Sequence, residues 1–557
     1  MLRHEGQEPD GLDSSITRRQ ILKGATALGL TAGILGPLLA ACSRVADPPI
    51  VTPTISNNPI PTPFNTPIPA PTLPVPTPTP FIPPTATPAP PTATPAPPTP
   101  IPTVTPTPLP QPTATPTPKP MPSQISIFEA DTSNLTERQK VAHLLRRAGF
   151  GYSKSDLDRA ESIGLKATIT ELVDFESIDD SASTKRIGDA GLDFELRYEL
   201  RRWWFLRMAY TKNPLPEKIA LFWHGILTSG LKKVGDNYVM IDQNNLLKDM
   251  GMGSYNELLK EIGRDPAMLI WLDSRSNIKK APNENYAREL MELFTLSPGY
   301  YTEEDVRESA RAFTGWGTKG QRDKGIHFLF RKNQHDNGTK VFLGEEGNFD
   351  GDDVVDIILR QPQAARFVTT KLWEFFAYTD PEPHIIDHLS GVFITSGYVI
   401  RDVMRALLQR PEFYSQKAYR TQIKSPIDLV VQTARAMGFD SNGKRFTRPP
   451  DVMGQTLFDP PDVAGWPGGE AWINSSSMLQ RANFANSVAL WVSQVNKQRV
   501  PLPDRHELTD LLLDGVADPA MEAALDYFEA ETKGADEYGV QRGILYLFLA
   551  GPAFQRG

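Results

Sequence analysis

From Pro48 to Pro122 the chain cannot enter a helix or a sheet interior. Proline recurs there every few residues. Each one fixes φ and removes the backbone N–H that both structures need. Pro84 to Pro90 reads PTATPAP, and Pro91 to Pro97 repeats it. Lys119 is the only charged residue between Asp47 and Glu129. Such a stretch favours extended polyproline II at about 3.1 Å per residue, so roughly 75 residues reach on the order of 200 Å. Residues 42–124 read as a disordered, solvated Pro/Thr-rich stalk, and its Thr-Pro repeats suit O-glycans. The folding problem is confined to residues 125–557. That stretch, roughly 430 residues, can bury a sizeable core.

What precedes the stalk reads as an address. Arg18-Arg19 is followed by Gln20-Ile21-Leu22-Lys23 and an uncharged apolar run from Gly24 to Ala41. This is the pattern of a secretory signal, and the paired arginines with a weakly apolar run suit twin-arginine export. Leu39-Ala40-Ala41-Cys42 has the form of a lipoprotein processing site. The expected mature chain begins at lipidated Cys42, anchored to the outer side of a bacterial cytoplasmic membrane or to the cell surface. An uncleaved spanning helix is the alternative. It is weakened by Gly29, Gly33, Gly36 and Pro37 in a run near the lower length limit.

Cys42 is the only cysteine, which excludes an internal disulfide and a Cys-rich zinc site. The net charge of −8 offers no basic face for nucleic acid.

Beyond residue 125 the punctuation is helical. Thr136-Glu137-Arg138-Gln139 and Thr302 to Asp305 have capping-box spacing ahead of apolar faces. Leu196, Leu200, Trp203 and Trp204 make a buried helical stripe. Further helices are predicted near 217–229, 283–296, 353–360, 364–377, 401–410, 426–438, 478–495, 519–532 and 538–549. One small β-hairpin is predicted, with Ile326, Phe328 and Phe330 turning through Asn337-Gly338 into Val341-Phe342-Leu343. The fold class is mainly α: one large multi-helical domain with a single hairpin.

The chemistry-bearing candidates are few. On a helix, Asn285, Glu289 and Glu292 fall within about 60° of one another, with Arg288 beside them. Paired carboxylates beside an arginine could act as acid and base, or hold a metal. Ion-pair lacing, Glu284 to Arg288 above all, is the favoured alternative. His335-Asp336, in the polar tip of the expected hairpin, is either a catalytic pair or an ordinary turn. His224 sits in an apolar helix as a core residue or a metal ligand, with Glu289 and Glu292 as its partners in the second case. His384 and His388 share a helix face that reads as exposed. Asp350-Gly351-Asp352-Asp353 reads as a helix cap. The loop Asp459 to Gly469 carries Asp459, Asp462 and Trp466; Trp466 and Trp472 could stack on a sugar, or Trp466 could plug the core.

Several long strings then agree in order with one family. They are "HLLRRAGFG" from His143, "FWHG" from Phe222, "NENYARELMELFTL" from Asn283, "YTEEDVRESARAFTGW" from Tyr301, "HDNGTKVFLG" from His335, "KLWEFF" from Lys371 and "LFDPPDVAGWPGG" from Leu457. The chain resembles the bacterial family catalogued as domain of unknown function 1800 over nearly all of residues 133–557. The resemblance implies a bacterial protein, frequently exported by the twin-arginine machinery, and a second exported protein of sulfatase-like fold as partner. It implies no activity. Family members often read Leu-Gly after "LFT", where this chain has Leu296-Ser297-Pro298-Gly299.

Two functions are compatible with these readings. One is an anchored extracytoplasmic hydrolase acting on a polymer or wall component, with or without a divalent metal. The other is a surface binding or scaffold protein for a glycan or for the sulfatase-like partner.

Overall fold

The computed structural model describes residues 135–557, apart from 322–324, 440, 493, 496–497 and 500–501. The signal (1–41), Cys42 and the stalk lie outside the described residues. Within them the fold is mainly α, with twenty-three α-helices and three two-stranded antiparallel ribbons. No described helix is long and apolar enough to cross a membrane.

The helices lie close to where the sequence places them, because their faces and caps are local properties. Thr136 and Thr302 both close capping boxes, with Gln139 and Asp305. Asp350 caps the helix Gly351–Leu359, as expected of that acidic run. Nearly all buried apolar side chains join one continuous core. Leu200, Trp203 and Trp204 enter it, but Leu196 precedes the helix Arg197–Tyr210 and stays exposed.

The expected hairpin is corrected. The alternating strand β2 (Gly325–Phe330) pairs with β1 (Trp316–Gln321), not with 341–343. β1 carries Gly317 and Gly320 and no apolar alternation, so it left no period to read. β3 (Lys340–Phe342) pairs with β4 (Glu345–Gly347) across Leu343-Gly344. Both turn residues have positive φ, the geometry of a tight two-residue hairpin. Leu343 adopts it because its N–H donates to Asp305 Oδ1 at 2.7 Å and its side chain packs on the core. Asn337-Gly338 instead lies in a loop where Asp336 Oδ1 accepts from Gly338 N–H at 2.8 Å. A third ribbon, β5 (Gln494–Val495) with β6 (Gln498–Arg499), was not expected.

One helix cap has a pH consequence. Asp265 caps Pro266–Trp271, and its Oδ1 accepts from Met268 N–H at 3.0 Å and Gln243 Nε2 at 2.7 Å. Burial outweighs those bonds and pushes its carboxyl up to about 7. An acid whose folded pKa is raised stabilises the fold fully below its unfolded value, near 4, and that contribution is lost as pH rises through 7. Asp265→Asn keeps the acceptor without the charge. Its advantage over the parent is expected to grow from pH 5 to pH 8 by about 1–3 kcal/mol in chemical denaturation.

Candidate functional site

The long family strings converge on three stations. The first joins residues 283–316 to 335–344. The helix Asn285–Glu289 continues from Leu290 to Thr295 as a π-helix, closed by Thr295 Oγ1 on Leu290 O at 2.5 Å. The wider winding rotates Glu292 off the α-helical face that would align it with Asn285 and Glu289. Arg288 turns away from both carboxylates. It binds Glu303 through two 2.8 Å bonds and Glu284 at 3.2 Å. Asn285 is exposed, its N–H donating to Asn283 Oδ1. Glu292 accepts from the Tyr301 hydroxyl at 3.2 Å. Burial, then the Glu292 charge, pushes that phenol up to about 12. Glu289 is half-buried, and its carboxylate takes no hydrogen bond from a described residue. Burial and then Glu292 raise its pKa, with Arg288 opposing. Of the four expected polar residues, Glu289 feels the charges of Glu292 and Arg288, and Asn285 stands apart on Asn283.

His335 and Asp336 do not bond to each other. Nδ1 of buried His335 meets Thr314 O at 2.9 Å. Asp336 accepts from Arg311 Nε at 2.8 Å, and Lys340 Nζ donates to its carbonyl at 2.7 Å. Arg311 holds the Asp336 carboxyl below the usual carboxylate range. The pair fixes the loop between the two ribbons.

The second station seats the loop 457–469 on the end of the helix Pro214–Ile226. Leu231 N–H donates to Phe458 O at 2.7 Å, and Thr228 Oγ1 to Val463 O at 2.7 Å. Asp459 accepts from Lys232 N–H at 2.8 Å and Arg201 at 3.3 Å. Asp462 accepts from Ala464 N–H at 2.9 Å. Both acids therefore shape the loop. His224 lies beneath it, its ring centroid 5.4 Å from Trp204, 5.7 Å from Phe458 and 5.5 Å from Trp466. Burial lowers it to about 4, so it is neutral, and its Nε2 has no partner. Trp466 is half-buried, whereas Trp472 is buried and offers no platform. His224, Glu289 and Glu292 are not assembled as a metal cage. Among the described residues no three His, Cys, Asp or Glu side chains converge in that way. His384 and His388 also depart from expectation. They are half-buried and face Glu412 (3.2 Å) and Arg410 (2.9 Å).

The third station surrounds "HLLRRAGFG". Arg146 binds Asp514 at 2.6 Å with both side chains almost fully buried. Arg147 donates to Phe376 O at 2.9 Å, inside "KLWEFF". Asp514 also accepts from Tyr152, from Tyr419 (2.6 Å) and from Arg420 (3.2 Å).

Beside this station opens a cleft of about 750 Å³, and sequence reasoning missed it. The helices Lys154–Ile163 and Leu165–Val173 form one wall. The end of Arg197–Tyr210 and the end of Pro426–Ala436 form the other. Arg159, Arg186, Lys212 and Arg435 line it against Asp156, Glu171 and Asp179, with Tyr210 and Phe439 contributing rings. Arg186 lies over the Tyr210 ring at 3.9 Å. These residues come from six separate segments, and no local pattern marks them.

Fold and stations together define a mainly α protein in which long sequence strings serve mainly to lock loops onto helices. The family model described as "Protein of unknown function (DUF1800)" matches residues 143–556, and the chain belongs to that family. No curated protein and no solved structure matches it.

Proposed function

We propose that this chain is a bacterial lipoprotein, exported by the twin-arginine route and anchored through Cys42, whose domain binds a polymer of the cell envelope. The cleft carries this reading. Its size, its interleaved charges and its two aromatic rings suit a hydrated, extended chain such as a polysaccharide. The stalk supports it, since a long tether lets an anchored domain reach a polymer and raises the local concentration of each for the other. The test is calorimetric titration of the full chain with soluble envelope polysaccharide. Ser177→Trp, an exposed change on the cleft wall, is expected to weaken binding about tenfold at unchanged melting temperature. An unchanged affinity in that variant places the ligand elsewhere.

A second reading rests on Glu289. A half-buried carboxyl raised beside Glu292 suits general acid and base roles in hydrolysis. If the pair turns over the polymer, Glu289→Gln abolishes turnover and leaves affinity intact. No release of new reducing ends by the parent chain removes this reading. The sulfatase-like exported partner remains a proposal for co-purification from the native membrane.

A further inference from the structure

The cations and anions that line the cleft are not equally engaged. Glu171 is held by Arg159 through bonds of 2.9 and 2.7 Å. Asp179 accepts from Ser181 N–H at 2.9 Å, and Asp156 closes the cap of its own helix with Ser153. Arg435 is different. Its side chain is 10% exposed, and its nearest carboxylate, Asp156, stands 3.5 Å away and is itself 47% exposed. Its Nη1 meets only carbonyl oxygens, those of Met208 (3.3 Å), Ala209 (3.3 Å) and Thr211 (3.0 Å). Its Nε is buried without a partner. Burial lowers the guanidinium pKa, as expected of a cation short of compensating charge.

Lys212 follows Thr211 directly. It is exposed, and its ammonium pairs with no described carboxylate; only its backbone N–H is engaged, by Asp180 at 2.8 Å. Next in the chain, Asn213 donates through Nδ2 to Ile178 O at 3.2 Å, while its buried Oδ1 has no donor. One end of the cleft therefore holds a guanidinium whose paired carboxylate, Asp156, stands at 3.5 Å, and an exposed ammonium near Asp179 that pairs with no described carboxylate. A carboxylate answers both cations. A sugar acid carries a carboxylate on a ring, and Tyr210 and Phe439 line the same cleft with aromatic edges or faces left beside Arg186, Phe446 and Trp491.

We infer that the cleft recognises a carboxylate-bearing glycan, with its acid group held at the Arg435–Lys212 end. This rests on the cleft being the binding site proposed above. The stalk of this chain is not the occupant, since it contains no acid between Asp47 and Glu129.

The test titrates the full chain with three probes: an oligogalacturonate, the same oligomer with its carboxyls methyl-esterified, and a polyglutamate peptide. The acid oligomer is expected to bind, to weaken with added salt, and to bind at least about tenfold more tightly than its ester. Lys212→Glu, an exposed charge reversal, is expected to weaken the acid oligomer about tenfold with no change in melting temperature. Equal binding of acid and ester overturns the carboxylate assignment. Tighter binding of polyglutamate overturns the glycan assignment. If all three probes fail while envelope polysaccharide still binds in a Ser177→Trp-sensitive manner, this inference falls alone. If that binding fails as well, the cleft reading falls with it.

Discussion

Asp514→Ala is expected to cost the domain about 3–5 kcal/mol, because it strands a buried cation. The carboxylate is fully buried at the end of the helix Arg505–Leu513, in the left-handed conformation that aims it inward. It accepts from Arg146, Tyr152, Tyr419 and Arg420. Alanine would leave the buried Arg146 guanidinium without its counter-charge and two phenols without their acceptor. That penalty exceeds the loss of the bonds themselves. Unfolding followed by circular dichroism at neutral pH checks it; a loss under about 1 kcal/mol would mean that water replaces the carboxylate. The same site sets an acid limit. Although burial alone would raise it, the charges of Arg146 and Arg420 hold the Asp514 carboxyl well below its ordinary range. A depressed acid contributes stability that is complete above its unfolded value, near 4, and is lost as pH falls toward the folded value. The parent should therefore lose stability steeply below about pH 4, and Asp514→Ala should lose much less there.

Gly465→Ala is expected to cost about 2–4 kcal/mol and to detach the loop that carries Trp466. Gly465 has φ +81°, and an added Cβ would lie 2.1 Å from the Gly225 carbonyl oxygen. Neither atom is the end of a flexible side chain, so the loop or the helix end must move. The neighbouring Phe458 already holds φ +64°, strain that the bonds from Leu231 and Thr228 sustain. Movement would take the Trp466 ring from His224 and change its fluorescence. Unaltered emission and stability in the variant would show that the two backbones are not in contact in solution.

The helices were legible because caps and apolar faces are written within a dozen residues. Thr136, Thr302 and Asp350 each did what their spacing required. The ribbons were not, since β1 has no alternation and Leu343-Gly344 makes its turn only because Asp305 and the core hold it. The candidate chemistry was half legible. Glu289 and Glu292 were found by spacing, but the π-helix altered their phase and Glu303 took Arg288. His335 and Asp336 looked reactive as a dipeptide and proved to bind different partners, Thr314 and Arg311.

By itself the sequence determined the mainly α class and the family. These depend on short-range periodicity and long matching strings. Only the tertiary structure decided which charges are compensated. Asp514 lies 368 residues from the Arg146 it neutralises. Arg435, 224 residues from the Thr211 carbonyl it binds, meets its one paired carboxylate, the half-exposed Asp156, only at 3.5 Å. Compensation of a buried charge depends on distances of a few ångströms between segments far apart in the chain, and no local pattern encodes them.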